Sequence, residues 1–500
     1  MKLRPFLFLI AITITSDPAI SQSKNKKPRT IVTTDGEVDD QDSFIRMLLY
    51  ANEFDIAGLI YSSSQWHYKG DGKGTKFKSE LEMTANRYGE RTELRWPGTT
   101  WMESLIDRYT LVYSNLIKHA SGYPQPQHLK SMIKVGNIDF EGEMSQDTPG
   151  SDFIKKIILD ADDSPLYIQI WGGTNTVARA LKSIEDQYKK TSDWNRIETL
   201  VNRKVIFYAV LDQDATYKKY IEPNWPKIKV LYNTAQFWNF AYPWSKVVPQ
   251  PLQIYLRGPW FEENVKFNHG PLLSNYYLWG DGTAIANDPE NDQGDVAVMR
   301  KNGMIKYDFI SEGDSPAYFH LINVGLDNLE NASYGGWGGR MAQSKTNPNR
   351  WEDGDNVTDF NPYLKAFDKA YPQTRWIDVI QNDFSARADW CVVAFDKANH
   401  PPQITMTQSS RLEAKPGESV NLECMTTDPD ENQVSIMWWQ YYEVDTYAGE
   451  VHILNPSKPK ITVQIPLDAK SGDTIHLIAE ATDNGVPALT RYQRVVITVK

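Results

Sequence analysis
Between Asp35 and Asp42 five of eight residues are carboxylates: Asp35, Glu37, Asp39, Asp40 and Asp42. They follow a β-branched run, Ile31-Val32-Thr33-Thr34, and precede apolar residues at helical spacing, Phe44, Ile45, Leu48 and Leu49. The pattern predicts a strand over Thr30 to Thr34, a helix from about Asp39 to Ala51 and a second strand over Ile56 to Ser62. The acids of this βαβ unit then stand at the carboxyl end of the first strand, the edge where open α/β sheets build their sites.

Carboxylates at this density repel one another, and a bound cation is the simplest way to keep them ionised together. Oxygen-only ligands on a turn favour a hard, geometrically tolerant ion, so Ca²⁺ is expected before Mg²⁺. The spacing is not that of an EF-hand. A plain helix start, with Asp39 or Asp40 as N-cap and further acids favoured by the helix dipole, is the competing explanation.

The first residues, Met1 to about Ser21, carry Lys2 and Arg4, an apolar stretch from Phe6 to Ile14, then Ala19 and Ser21. This reads as a secretory signal peptide, with a secreted or periplasmic protein and no membrane association after its removal. No cysteine lies near the cut to carry a lipid anchor. A net charge of -11 argues against a nucleic-acid polymer as partner, which would need a basic face. Sixteen Trp and 26 Tyr favour a carbohydrate-type ligand, because aromatic faces serve as stacking platforms in sugar clefts. Cys391 and Cys424 are the only cysteines; Cys424 alternates with Val420 and Leu422, which favours a buried thiol over a disulfide.

Strand and helix keep alternating. Pro165 to Trp171 is a predicted strand, followed by the turn Gly172-Gly173-Thr174-Asn175 and a helix over Val177 to Tyr188. Lys204 to Leu211 is another strand, ending in Asp212-Gln213-Asp214, and Lys227 to Tyr232 a further one, ending at Asn233. Four strand ends carrying acids, amides or glycines suit a parallel sheet with its site along one edge. Residues Ala241 to Lys306 are irregular and rich in Pro, Trp and Asn, as an insertion or lid would be. Ser311 to Ala317 contains Glu312 and Asp314 before a short helix over Tyr318 to Val324, so that Asp314 is a helix cap or a further metal ligand. Tyr334 to Arg340 sets four glycines around Trp337, a loop able to bring backbone close to a ligand and present the indole to it.

Asn399-His400-Pro401-Pro402 reads as part of a linker over 398–402 between an α/β domain at 28–397 and a second domain at 403–500. Beyond it the period changes to two, over Ser419 to Met425, Val434 to Gln440, Lys460 to Ile465, Thr474 to Ala481 and Arg491 to Val499, predicting an antiparallel Ig-like β-sandwich. Asp428, Asp430 and Asp483 are explained either by turn chemistry or by a second Ca²⁺.

The motifs Asp35-Gly36-Glu37-Val38-Asp39-Asp40, Gly172 to Asn175 and Glu312-Gly313-Asp314-Ser315-Pro316 resemble the metal-binding segments of inosine-uridine nucleoside hydrolases. Together with Asp212-Gln213-Asp214, Tyr334 to Arg340, Gln381-Asn382-Asp383-Phe384 and the domain containing Trp438-Trp439, they resemble more closely a nucleoside-hydrolase-like family of cellulose-binding proteins. The resemblance implies a Rossmann-type α/β domain, mainly parallel, followed by the Ig-like sandwich. It implies Ca²⁺ held by Asp35, Asp40, Asp314 and the Thr174 carbonyl. Catalysis falls to Asp35 and Asp39, with Asp39 on the sugar hydroxyls and the general base within the acidic trio. Asn175, Asp212, Asp214, Trp337 and His67 are the matching candidates for substrate binding.

The implied reaction is exported, Ca²⁺-dependent hydrolysis of an N-glycosyl or related glycosidic bond, with metal-activated water attacking the anomeric carbon. Three departures bear on it: Thr33 replaces the first aspartate of the usual motif, Gly313 replaces a histidine, and Ser64-Gln65-Trp66-His67 replaces an expected asparagine. The general acid is thereby unassigned, with His67, His269 and His320 as candidates. The same departures support a rival reading, a non-catalytic carbohydrate-binding protein on a hydrolase scaffold. A third places the ligand on the sandwich, at Trp438, Trp439, Tyr441 and Tyr442. Homo-oligomerisation is left open.

Overall fold
The computed structural model describes residues 27–500, so the expected signal peptide lies outside the described residues. Its N-terminal part is built on an eight-stranded sheet. Named in chain order, the parts that position the site are β1 (Arg29–Thr34), α1 (Val38–Leu49), β2 (Asp55–Tyr61), α2 (Trp101–His119), β3 (Ile133–Val135), α3 (Pro149–Ile158), β4 (Leu166–Ile170), α4 (Asn175–Tyr188), α5 (Trp194–Lys204), β5 (Val205–Val210), β6 (Lys229–Asn233), α6 (Ser315–Phe319), β7 (Ala342–Gln343) and β8 (Arg350–Glu352). The sheet order is β3-β2-β1-β4-β5-β6-β8-β7, with every pairing parallel except that of the edge strand β7.

The near-continuous apolar strands are explained by burial on both faces. Ile31, Ile60, Ile168, Phe207 and Val230 pack on one face under Ile154 and Ile158 of α3, Val177 and Leu181 of α4 and Val201 of α5. Val32, Leu59, Tyr167, Tyr208 and Leu231 point the other way, onto a core that includes Phe44 and Leu48 of α1 and Ile106 of α2. At roughly 1.5–3 kcal/mol for each large apolar side chain buried, these two layers hold β1 centrally between β2 and β4.

The helix after the acidic turn begins at Val38, and its N-cap residue Glu37 makes no side-chain cap bond. Asp39 and Asp40 lie inside its first turn and are not its caps. The short helix near Asp314 also starts earlier than the spacing suggests, at Ser315, because Pro316 occupies its first turn, where a missing N–H costs nothing. Residues 241–306 contain only short helical turns such as Trp244–Val247, Gly258–Phe261 and Val296–Lys301, as the irregular composition predicts.

The C-terminal part forms two four-stranded sheets, β9-β11-β14-β13 and β10-β16-β15-β12, from β9 (Gln403–Met406), β10 (Arg411–Ala414), β11 (Ser419–Thr427), β12 (Ser435–Gln440), β13 (His452–Leu454), β14 (Lys460–Gln464), β15 (Thr474–Thr482) and β16 (Thr490–Val499). Three short strands, β9, β10 and β13, join the five read from periodicity, and β10 pairs with β16 in parallel. Their lengths of three or four residues are too short for alternation to register. Cys391 and Cys424 are both buried and unpaired.

The sandwich docks on the α/β part through charged groups that are fully matched. Asp359 accepts from Arg340 at 2.7 Å, Arg375 at 3.1 Å and the Tyr441 hydroxyl at 2.7 Å. The backbone N–H groups of Tyr492 and Arg494 donate to the Val324 and Gly325 carbonyls at 2.9 and 3.0 Å. Trp439 and Tyr441 lie against Trp376 at this junction, and Trp438 is buried in the sandwich core. Three of the four aromatic residues in the expected sandwich ligand platform are therefore engaged within the fold.

Candidate functional site
The acidic turn is fixed by its own side chains. Thr34 Oγ1 donates to Asp40 Oδ1 and accepts from the Gly36 N–H at 3.2 Å. Gly36 has φ +84°, and a Cβ there would lie 2.7 Å from Pro97 and from the Trp101 indole nitrogen, so the turn tolerates no side chain. Oxygen atoms of Asp39, Asp40 and Asp314 consequently lie within 4.8 Å of one another. Asp314 is carried in from a distant part of the chain by a buried support: Arg46 of α1 binds Glu312 at 2.7 Å, and Ser315 donates to Glu312 at 2.6 Å and lies 3.1 Å from the Ser43 hydroxyl.

Burial, compounded by the charges of Glu37 and Asp35, pushes Asp39 up to about 8. Burial and the neighbouring acids push Asp40 and Asp314 well above the ordinary carboxylate range. A site that raises three acids together stores repulsion that a cation would relieve. Asp35 lies beside them and behaves differently: burial opposes its ionisation, yet His67 holds it below the usual value. Its Oδ2 is buried, accepts no well-aligned hydrogen bond, and stands 3.4 Å from His67 Nδ1. Asp288 and Asp35 raise His67 to about 9 against its burial, so the imidazolium is the charged form at neutral pH. His67 Nε2 is 3.0 Å from Asp288, which Arg95 also binds at 2.7 Å, and Arg95 reaches Glu37 at 3.4 Å.

These acids form the floor of a cavity of about 280 Å³. Trp66, Trp171, Phe237, Trp238 and Tyr242 form its aromatic walls, with Arg87 and Arg95 alongside. The Tyr242 hydroxyl donates to Glu37 at 2.9 Å. The donor set of Asp39, Asp40 and Asp314 is all oxygen, with Asp35 beside it, so it fits a hard divalent cation.

The residues singled out in the sequence divide into two groups. Asp35, Asp39, Asp40 and Asp314 meet at the cavity floor, and His67 stands directly behind Asp35, wholly buried. Thr174, Asn175 and Asp214 meet one another: Asp214 accepts from Thr174 Oγ1 at 3.0 Å and from the Asn175 N–H at 2.8 Å, and the Thr174 carbonyl accepts from Ala178 at 2.9 Å. The Asn175 amide is spent on Ser63, Asn137 and Glu143. Asp212 accepts from Tyr217 and Lys218 N–H groups at 3.2 Å, and it is Gln213 between the two aspartates that lines the cavity.

Trp337 is 1% exposed and belongs to the core, not to the cavity wall. Its glycines serve close packing: a Cβ at Gly338 would sit 2.7 Å from the His320 nitrogen, and one at Gly339 would collide with the Gln236 side chain. His269 lies 3.2 Å from Asp389, and His320 is driven down to about 3 by burial; neither lines the cavity.

Residues 29–341 are matched by the family model described as cellulose-binding Sde182, nucleoside hydrolase-like domain. The chain belongs to this family. Residues 419–499 match the C-terminal domain of the cellulose-binding protein Sde0182. Among solved structures, a nucleoside hydrolase-related hypothetical protein from Saccharophagus degradans, described as associated with carbohydrate metabolism, is 25% identical with a TM-score of 0.69, covering 95% of this chain and all of its own. A plant nucleoside hydrolase is 9% identical with a TM-score of 0.34, covering 72% of this chain and 99% of its own, a likeness too slight to build on. No curated protein matches.

Arg87, Arg95, Phe237, Trp238, Tyr242 and Asp288 are among the site residues that sequence reasoning passed over. Trp238 and Tyr242 follow the Asn233 strand end closely, so position relative to a strand end was the available signal. Arg95 and Asp288 lie in irregular connections whose pairing across 193 residues no periodicity reveals.

Proposed function
We propose that this chain is an exported, divalent-cation-dependent hydrolase of glycosidic bonds, with calcium as the preferred ion. The observation that carries the reading is the convergence of Asp39, Asp40 and Asp314 beside Asp35 on the floor of an aromatic-walled cavity. Asp40 and Asp314 would hold the cation with Asp39 or Asp35. When bound, the cation supplies the charge that keeps these acids ionised together and acidifies water.

The chain's own groups divide the remaining work. Asp35 is the side chain best placed to take a proton from the attacking water, because it lines the cavity floor and its neighbour His67 favours the ionised form. Asp39, partly open to the cavity, accepts hydrogen bonds from sugar hydroxyls. The ionised cluster then stabilises positive charge developing on the sugar as the bond to the leaving group breaks. Trp66 and Trp238 cover the apolar faces of the ring and limit the entry of water.

One observation favours a carbohydrate-binding protein without catalysis as the second reading. Gly313 offers no leaving-group acid, and a Cβ there would lie 2.8 Å from Asp39 Oδ2, so a side chain at this position would have to displace the Asp39 carboxylate. Incubation of the purified protein with nucleosides and aryl glycosides in calcium and in chelator separates the two readings. Calcium-dependent product release establishes the hydrolase, and ligand retention without product establishes the binder.

A further inference from the structure
Away from the cavity, most buried acids of this chain are neutralised in one of two ways. Asp359 is matched by Arg340 and Arg375, Asp383 by Arg387 and Arg491, and Glu312 by Arg46. Asp353 is satisfied instead by the N–H groups of Thr234, Ala235 and Gln236. Two acids of the sandwich follow neither pattern. Asp428 follows the end of β11 and Asp483 the end of β15, and in each the Oδ2 atom is buried and accepts no hydrogen bond.

Turn chemistry accounts for the other oxygen of each carboxylate and leaves these two unexplained. Asp428 Oδ1 accepts from the N–H groups of Asp430 and Asn432 at 2.9 and 3.0 Å. Asp483 Oδ1 accepts from Gly485 and Leu489 N–H groups at 3.0 Å and from the Asn399 amide at 3.1 Å. The third acid of this region, Asp430, is already matched, by the His400 N–H at 2.6 Å and its Nδ1 at 2.9 Å. Asn399 bridges the two loops, since its Oδ1 accepts from Asn432 at 2.8 Å. Asp483 is 4% exposed, so bulk water does not solvate its free oxygen. Burial, with the charge of Asp428 added to it, raises Asp483 above the ordinary carboxylate value. Leaving a charged oxygen buried and unmatched is costly, and a cation is the matching partner that the protein itself does not provide.

We propose that Asp428 and Asp483, with the Asn399 loop between them, form a calcium site that locks the interdomain linker onto the β-sandwich. The free ligands are hard carboxylate oxygens on turns, which suits calcium's irregular coordination better than the octahedron magnesium demands. The site also bears on how the two parts of the chain are held. The Asn399 carbonyl accepts from the Trp390 indole at 2.9 Å, and His400 Nε2 meets His119 Nδ1 of α2 at 2.9 Å. A cation fixing the loops around Asn399 would therefore steady the α/β part as well. This inference is independent of the reading of the cavity.

Calcium titration of the full-length chain by calorimetry tests it, with Asp314→Asn to disable the cavity site and Asp483→Asn to disable this one. The Asp483→Asn variant retains an Oδ1 acceptor for Gly485, Leu489 and Asn399. We expect one calcium equivalent to survive in Asp314→Asn and to vanish in the double variant. Thermal unfolding supplies a second readout. In chelator Asp483→Asn should be at least as stable as wild type, because a buried repulsion has gone. In calcium at a hundred times its dissociation constant the wild type should gain roughly 3 °C or more that Asp483→Asn does not. Asp314→Asn that binds no calcium, or Asp483→Asn that gains the same stabilisation as wild type, would overturn the proposal while leaving the cavity reading untouched.

Discussion
Cation binding at the cavity should release protons, and the amount follows from the geometry of the acidic turn. Without a cation Asp39 is pushed up to about 8 by burial and by the charges of Glu37 and Asp35, whereas a cation held at Asp40 and Asp314, whether or not Asp39 ligates it, favours the ionised form of Asp39. At pH 7 a group titrating at about 8 is roughly nine-tenths protonated, so binding should expel about 0.9 proton from Asp39 alone. Asp40 and Asp314, also raised, can only add to this number. The sign is set by which state holds the proton: affinity should weaken at least tenfold for each pH unit as the pH falls below 8. Calorimetric calcium titration at pH 7, in buffers with contrasting ionisation enthalpies, reads the proton count from the slope of heat against ionisation enthalpy. Asp39→Asn should reduce that count. A zero slope at pH 7 together with unchanged affinity from pH 6 to 8 would refute the electrostatic reasoning.

Other consequences can be checked by simpler means. Glu141 is 5% exposed with neither carboxylate oxygen hydrogen-bonded, and burial raises it to about 7. The folded state therefore holds the extra proton, and stability should fall as pH rises from about 4.5 to 7. Glu141→Gln should recover of the order of 3 kcal/mol at pH 8 and almost nothing at pH 4 in urea unfolding. Arg46→Met leaves Glu312 charged and wholly buried, and should cost about 3–5 kcal/mol by denaturant unfolding; adding Glu312→Gln should restore most of the loss. Trp238 is 38% exposed at the cavity wall, so Trp238→Ala should leave the melting temperature nearly unchanged while weakening retention of a glycoside by tenfold or more.

The parts of the fold that were legible in the sequence are those governed by short-range pattern. The β1 to α1 unit, the parallel strands β4, β5 and β6, and the five longer sandwich strands each carry a period that tertiary contacts did not override. The gathering of Asp314 with the N-terminal acids was legible only through family resemblance, because about 275 residues separate it from Asp39 and no local signal specifies that distance. Trp337 shows where local chemistry misleads: glycines beside an aromatic residue suit a ligand loop and a tightly packed core turn equally well, and His320 and Gln236 filled the adjoining space. Asp212, Asp214 and Asn175 stand at strand ends as expected, yet their polar atoms stabilise the turns that carry Gln213 and Gly173. A polar strand end thus marks the correct edge of the sheet without saying which of its side chains meets the ligand.

The central claim is that the acids on the cavity floor hydrolyse a glycosidic bond with the help of a cation. The most direct test measures product release from nucleosides and aryl glycosides by the metal-stripped protein, before and after calcium is restored, with Asp40→Ala in parallel. The account predicts turnover that appears with calcium and is abolished in Asp40→Ala. Turnover that is indifferent to calcium, or a protein that binds calcium and glycoside tightly yet releases no product, would contradict it.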